Sequence, residues 1–168
     1  PRHVPALGKG HGMTSLSLQT IHEVQTTLFQ EALHLDAQRW DEWLGLFTED
    51  AVFWLPAWTD EHRLSTSPER ESSLIYCAAR AGLEDRVWRV RSGLSVASKP
   101  LPRTSHAVTN CVVTPDPDAS ERVVVNSSWT CHVYELKQRT QHVFFGTYQH
   151  LLECRQGLWR ITHKKVIL

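Results

Sequence analysis

At 168 residues the chain is sized for one domain, which would bury roughly 70% of its unfolded surface without needing staples. Eighteen basic residues balance eighteen acidic ones and are scattered along the chain, so no net field draws it to nucleic acid or to an anionic membrane. No apolar run approaches the roughly 18 residues of a membrane span, and four cysteines standing singly, with no C-x-x-C pair or secretory segment, fit reduced thiols in a cytoplasm.

Residues 1–12 carry Pro, Gly and His without periodicity, and the single methionine follows at Met13. They are expected to be a disordered leader or a cloning remnant, with one domain over 13–168. From Thr20 a helix is signalled by a capping box with Glu23 and by Ile21, Val24, Leu28, Ala32 and Leu35 at helical spacing, so one face is core. Trp40, Trp43, Leu44 and Phe47 at i, i+3, i+4 and i+7 predict a second, short helix. Thr48-Glu49-Asp50 then leads into a strand from Ala51 to Leu55, which Pro56 stops.

Trp58 to Glu71 is polar and turn-rich. Between Ser72 and Arg91 the pattern of Leu74, Ala78, Ala81, Asp85 and Trp88 favours helix over strand, with Gly93 as the stop. Lys99-Pro-Leu-Pro-Arg103 reads as a loop, Thr104 to Val113 as a strand and Thr114 to Ser120 as a turn. Beyond it Val123, Val125, Ser127, Trp129, Cys131 and Val133 share one strand face, and Phe144, Tyr148 and Leu152 share a face of the next, with Gly146 marking a bend or bulge. Turns at 137–141 and 155–157 complete a meander of long antiparallel strands. Helices followed by a long antiparallel sheet give an α+β order.

A longer-range pattern runs through these elements. Glu31-Ala32, Leu35-Asp36 and Trp43-Leu44-x-Leu46-Phe47-x-x-Asp50-Ala51 open it. Ser73-Leu-Ile-Tyr76, Leu83-Glu-Asp-Arg86-Val87, Arg91-Ser-Gly93, Arg103-Thr-Ser-His106 and Asn110 continue it, and Gly146 with Tyr148, Trp159-Arg-Ile161 and Lys164-Lys-Val-Ile-Leu168 end it. In this order, from about Leu16 to Leu168, the chain resembles the small (beta) subunits of aromatic-ring-hydroxylating dioxygenases. The Asp-Ala and Trp-Arg-Ile elements are shared more widely with the nuclear-transport-factor-2-like (SnoaL-like) superfamily, which includes ketosteroid isomerases and scytalone dehydratases. Two departures stand out: Cys77-Ala78-Ala79 replaces residues that are often acidic in the family, and the family is expected to run a few residues past Leu168.

The resemblance implies a cone-shaped, strongly curved, mainly antiparallel mixed sheet wrapped round N-terminal helices, a cystatin-like arrangement. It also implies a homotrimer docking three catalytic alpha subunits in a hexamer. The alpha subunit is expected to carry a two-iron Rieske cluster and a mononuclear non-haem iron. A Rieske site needs two Cys and two His, and the second iron two His and a carboxylate. Cys131-His132 with isolated Cys111 and Cys154 supplies neither set, so no cofactor or metal is expected on this chain.

Each candidate residue has two readings. Asp36 and Asp50 could be general bases in an apolar cone, or could end a helix and cap the turn into a strand. His106 could hydrogen-bond across the mouth of the cone and is the third acid/base candidate, or could be a satisfied half-buried histidine. The other histidines in predicted elements follow strand faces rather than ligand geometry. Trp40, Trp43, Trp88 and Trp129 belong to core faces, whereas Trp54 and Trp58, flanking Pro56, are candidates for an interface. Arg86, Arg91, Arg103, Lys164 and Lys165 suit a solvated surface or the polar rim of a subunit contact. Cys77 has no neighbouring base to make it a nucleophile.

The leading expectation is a non-catalytic structural subunit of an oxygenase that dihydroxylates an aromatic ring, inactive alone. The alternative is a stand-alone isomerase or dehydratase acting on a small apolar substrate in the cone, which would require a buried Asp or His in an enclosed pocket. A third is a binding or assembly module without an enzyme partner.

Overall fold

The structure, a computed structural model, describes residues 15–93 and 100–168. The predicted leader, Met13 and the loop residue Lys99 lie outside the described residues. Helix α1 (Leu18–Asp36) starts one turn earlier than the Thr20 box implies. Ser17 is its N-cap, the hydroxyl accepting from the Thr20 backbone N–H at 3.0 Å. Glu23, freed from capping, accepts instead from Gln19 and from the Trp159 indole at 3.3 Å. The stripe predicted for this helix is the buried one, with Val24, Leu28 and Ala32 inside.

Helix α2 (Trp40–Leu44) is a single short stretch, and Phe47, expected at its end, opens strand β1 (Phe47–Pro56) fully buried. The strand begins before Ala51 because its neighbour captures the segment: the Ile161 N–H donates to the Leu46 carbonyl at 2.9 Å, and Phe47 is registered on Ile161. The predicted helix over 72–91 divides into strand β2 (Ser73–Cys77) and helix α3 (Arg80–Ser92). Ser-Leu-Ile-Tyr-Cys pairs antiparallel with β1, Trp54 facing Tyr76 and Leu55 facing Ile75, and this ladder outweighs the weak helical periodicity. Trp88, placed on the core face by that periodicity, is 61% exposed. The residues α3 buries are Leu83 and Val87, and Gly93 ends the helix in the left-handed region at φ 63°.

Four long strands follow, β3 (Arg103–Asp116), β4 (Ala119–Glu135), β5 (Thr140–Arg155) and β6 (Leu158–Ile167). The predicted turn at 114–120 contracts to Pro117-Asp118, since Thr114 and Pro115 remain paired with Val124 and Val123. The six strands lie in the order β2-β1-β6-β5-β4-β3, antiparallel except for the parallel β1–β6 pair. Register shifts in β3, β1 and β6 bend the sheet, and Asn110 takes φ 51° at the first of them. Curvature brings both the edge strand β3 and the more central β6 against α1, while α3 packs on β1. The core divides accordingly. One cluster, around Leu28, Trp43, Phe47, Leu83, Val125 and Ile161, fills the closed end; Trp129, Cys131, Tyr148 and Val166 form another on the inner sheet face. Gly146 sits between them in function: opposite Trp129, it lets the end of β6 pass, because a Cβ there would collide with the Ile167 carbonyl.

Candidate functional site: the cavity inside the curved sheet

The inner face of the sheet, α1 and α3 line a cavity of about 390 Å³ that is open to solvent and walled largely by apolar and aromatic side chains. Its charged floor comes from residues on core-facing positions. Glu31 lies on the apolar stripe of α1 and Lys164 on the inward face of β6. Both are almost fully buried, and the ammonium lies 2.6 Å from each carboxylate oxygen. The Trp43 indole donates a third hydrogen bond to Glu31 at 3.1 Å, and the ammonium also sits 4.1 Å from the centre of the Tyr148 ring. A buried pair is tolerable only when saturated in this way. Lys164 is therefore a core group, not the surface or rim residue its sequence context suggests; Lys165, its outward neighbour, is half-buried over Trp54 at 4.6 Å.

Tyr148 stacks on Trp129 with centroids 5.2 Å apart and planes 8° from parallel. Burial, reinforced by Glu31, pushes the Tyr148 phenol well above its usual pKa, so the hydroxyl stays protonated. The Trp129 indole N–H is buried with no hydrogen-bond partner among the described residues, as are the Ser127 hydroxyl and both ring nitrogens of His150. Desolvation, helped by nearby Lys164 and His163, holds His150 well below the ordinary imidazole pKa and hence neutral.

Toward the mouth, the last residue of α1 meets the start of β3. The Asp36 carboxylate accepts from the His106 backbone N–H at 2.8 Å and from the Thr104 hydroxyl at 2.8 Å, and lies 2.6 Å from His106 Nδ1. Partial burial works to raise its pKa, but these hydrogen bonds outweigh that and hold it below the ordinary carboxylate value. Asp36 thus joins helix to sheet and orients the His106 ring, which lines the cavity. Asp50 is elsewhere. It lies within β1 rather than capping the turn before a strand, is 75% exposed and faces Arg155 at 3.9 Å, with a hydrogen bond from Thr48 as the main cause of its lowered pKa.

The remaining candidates separate. Arg86, on α3, lines the cavity while reaching solvent. Arg91 ties α3 to α2 through Asp41 at 2.7 Å, and Arg103 is exposed at the start of β3. Trp54 is not in a loop: it lies in β1, buried, its indole donating to the Ser73 hydroxyl at 2.8 Å, so it offers no exposed anchor. Trp58 is half-exposed and donates to the Leu168 carbonyl at 2.8 Å. Burial pushes the Cys77 thiol up, away from the thiolate a nucleophile needs. Among the described residues no group of three or more His, Cys, Asp or Glu converges as metal ligands, and no helix is long and apolar enough to cross a membrane. Sequence reasoning missed the Glu31–Lys164 pair. Its available signal was a charged residue at the core period of both a helix and a strand.

Helix-lined, curved six-stranded sheets of this kind define the nuclear-transport-factor-2-like class. A putative scytalone dehydratase from Novosphingobium aromaticivorans superimposes with a TM-score of 0.66 over 88% of this chain and 83% of its own, at 16% identity. Within that class the sequence is more specific: the family described as "Ring hydroxylating beta subunit" matches residues 30–168. The 2-halobenzoate 1,2-dioxygenase small subunit of Burkholderia cepacia is 38% identical over 156 residues, 93% of this chain and 92% of that one. The benzoate 1,2-dioxygenase beta subunit of Acinetobacter baylyi is 32% identical over 89% of this chain and 86% of its own. The crystal structure of the benzoate 1,2-dioxygenase beta subunit from Burkholderia mallei superimposes with a TM-score of 0.73 at 32% identity, covering 93% of each chain. The chain belongs to the ring-hydroxylating dioxygenase beta-subunit family.

Proposed function

We propose that this chain is the non-catalytic, assembly-forming subunit of an oxygenase that dihydroxylates an aromatic carboxylate, working in the cytoplasm as a single domain over residues 13–168. A catalytic alpha subunit supplies the Rieske cluster and mononuclear iron, and three copies of this chain form a trimer within a hexamer of three alpha and three beta chains. Relatives that are subunits of halobenzoate, toluate and benzoate dioxygenases support the substrate class. The observation that carries the assembly role is the distal arm of β5, where Val143 and Phe144 are half-exposed and Phe145 is 70% exposed, Phe144 on the cavity side and its two neighbours on the opposite face. Consecutive exposed apolar residues on a well-paired strand are a liability in a monomer and an asset in an interface. The exposed Trp58, Arg91 and Arg103 are proposed to supply an aromatic anchor and a polar rim.

The test is purification of the chain with and without its alpha subunit, followed by light scattering, iron analysis and turnover. The reading expects a trimer alone, a hexamer with alpha, and iron and turnover only in the complex. A chain that stays monomeric in the presence of alpha, or binds stoichiometric iron alone, would reject it.

A further inference from the structure

We infer that the cavity inside the curved sheet is a binding site for a small aromatic carboxylate, with Arg86 receiving the carboxylate and the ring lying among the aromatic walls. The inference goes beyond the assembly role and does not depend on it. Three observations point to this ligand chemistry.

The first is size and lining. At about 390 Å³ the cavity falls within the roughly 300–1,000 Å³ of small-molecule sites, and Phe53, Trp129, Phe144 and Tyr148 with Leu55 and Val166 offer flat apolar contact. The cavity is open to solvent, which leaves a small molecule a way in.

The second is charge. Glu31 and Lys164 neutralise one another, and the Asp36 carboxylate is occupied by His106 and Thr104. Among the charged residues lining the cavity, this leaves the Arg86 guanidinium, which makes no ion pair with any described residue. A guanidinium beside an apolar chamber favours an anion, and its planar fork matches a carboxylate in two parallel hydrogen bonds.

The third is unspent donor capacity deeper in the cavity wall. The Trp129 indole N–H is nine-tenths buried with no partner among the described residues, although burying a donor unsatisfied costs about 1–3 kcal/mol. Beside it the Tyr148 hydroxyl is held protonated. These donors suit a polar substituent on the ring, and His106, its Nδ1 held by Asp36, also lines the cavity. The Arg86 end sets charge, the walls set planarity, and the floor tolerates a hydroxyl.

The experiment is calorimetric titration of the full-length chain with benzoate, with benzyl alcohol as the uncharged analogue and acetate as the analogue without a ring, supported by ligand-observed NMR. Benzoate should bind saturably at one site per chain, with both analogues at least tenfold weaker. Arg86→Gln should weaken benzoate about tenfold, some 1.4 kcal/mol, while leaving benzyl alcohol binding and the melting temperature unchanged. Because Arg86 reaches solvent, this variant is expected to fold. Trp129→Phe should preserve benzoate binding but weaken binding of 4-hydroxybenzoate or 3-hydroxybenzoate relative to benzoate. No saturable benzoate binding, or benzoate binding indifferent to Arg86→Gln, overturns the inference. Assembly with alpha, measured separately, reads the proposed function; loss of one result with retention of the other shows which idea has failed.

Discussion

Two buried groups dominate at the scale of single residues. Glu31 and Lys164 satisfy each other inside the sheet, with Trp43 completing the set. Removing one partner strands a charge, so Lys164→Met is expected to cost about 3–5 kcal/mol in urea unfolding. The double variant Glu31→Gln with Lys164→Met keeps an acceptor for the Trp43 indole and leaves no charge, and should recover most of that loss. Equal losses in the single and double variants would show that the pair acts through shape rather than charge. His150 has the opposite character: it is buried, neutral and without hydrogen-bond partners among the described residues. Its folded-state pKa lies well below the ordinary 6.5, so between those values the unfolded chain binds the proton that the folded chain refuses. Its contribution is intact above pH 6.5 and declines as pH falls, by up to about 1.4 kcal/mol per pH unit. His163 is shifted the same way by burial and adds to the slope. His150→Leu should therefore flatten the acid side of the stability profile below pH 6.5; an unchanged slope in urea titrations across that range would refute the assignment.

At the scale of elements, the decisive contact is where β5 meets the end of β6. Gly146 opposes Trp129 on β4, and no side chain fits between its backbone and the Ile167 carbonyl. Gly146→Ala must displace backbone rather than a flexible side-chain tip, and is expected to cost about 3 kcal/mol or more, the range of strongly disruptive changes. Because Tyr148 pairs with Val166 just beyond, the damage should spread into the cavity wall. Thermal melts report the first effect and near-ultraviolet dichroism of the stacked Trp129 and Tyr148 the second. A melting temperature within a degree or two of the parent would show that the strand ends give way more easily than their geometry implies.

For the whole molecule, the question is what covers the exposed arm of β5. Phe145→Glu places a charge where the proposed assembly has an apolar contact and where the folded monomer has none to lose. It should leave the melting temperature of the isolated chain within about 0.5 kcal/mol equivalent of the parent, as surface changes do. It should also reduce trimer or hexamer in light scattering. Undiminished assembly would move the interface to another face. The charge balance, eighteen against eighteen, predicts weak salt dependence for that association, in keeping with an apolar rather than an electrostatic contact.

Periodicity and punctuation in the sequence by themselves determined the long elements: the apolar stripe of α1, the alternating meander of β4 to β6 and the left-handed stop at Gly93, because each depends on neighbours a few residues away. The ordered motifs from Glu31 to Leu168 likewise carried the family, since many weak matches in one register are jointly specific. Tertiary structure decided what local preference could not. Ser73–Cys77 became a strand because β1 offered it a ladder, Phe47 left its helix for β6, and Trp54 and Lys164 went inside while Trp88 stayed out. The candidate site was legible only in part. Asp36 and His106 could be singled out as residues, but their 2.6 Å contact joins positions 70 apart in sequence. The Glu31–Lys164 pair spans 133. Hydrogen bonds and ion pairs act over a few ångströms, so such partnerships exist only once the sheet has curved far enough to bring both strands against one helix.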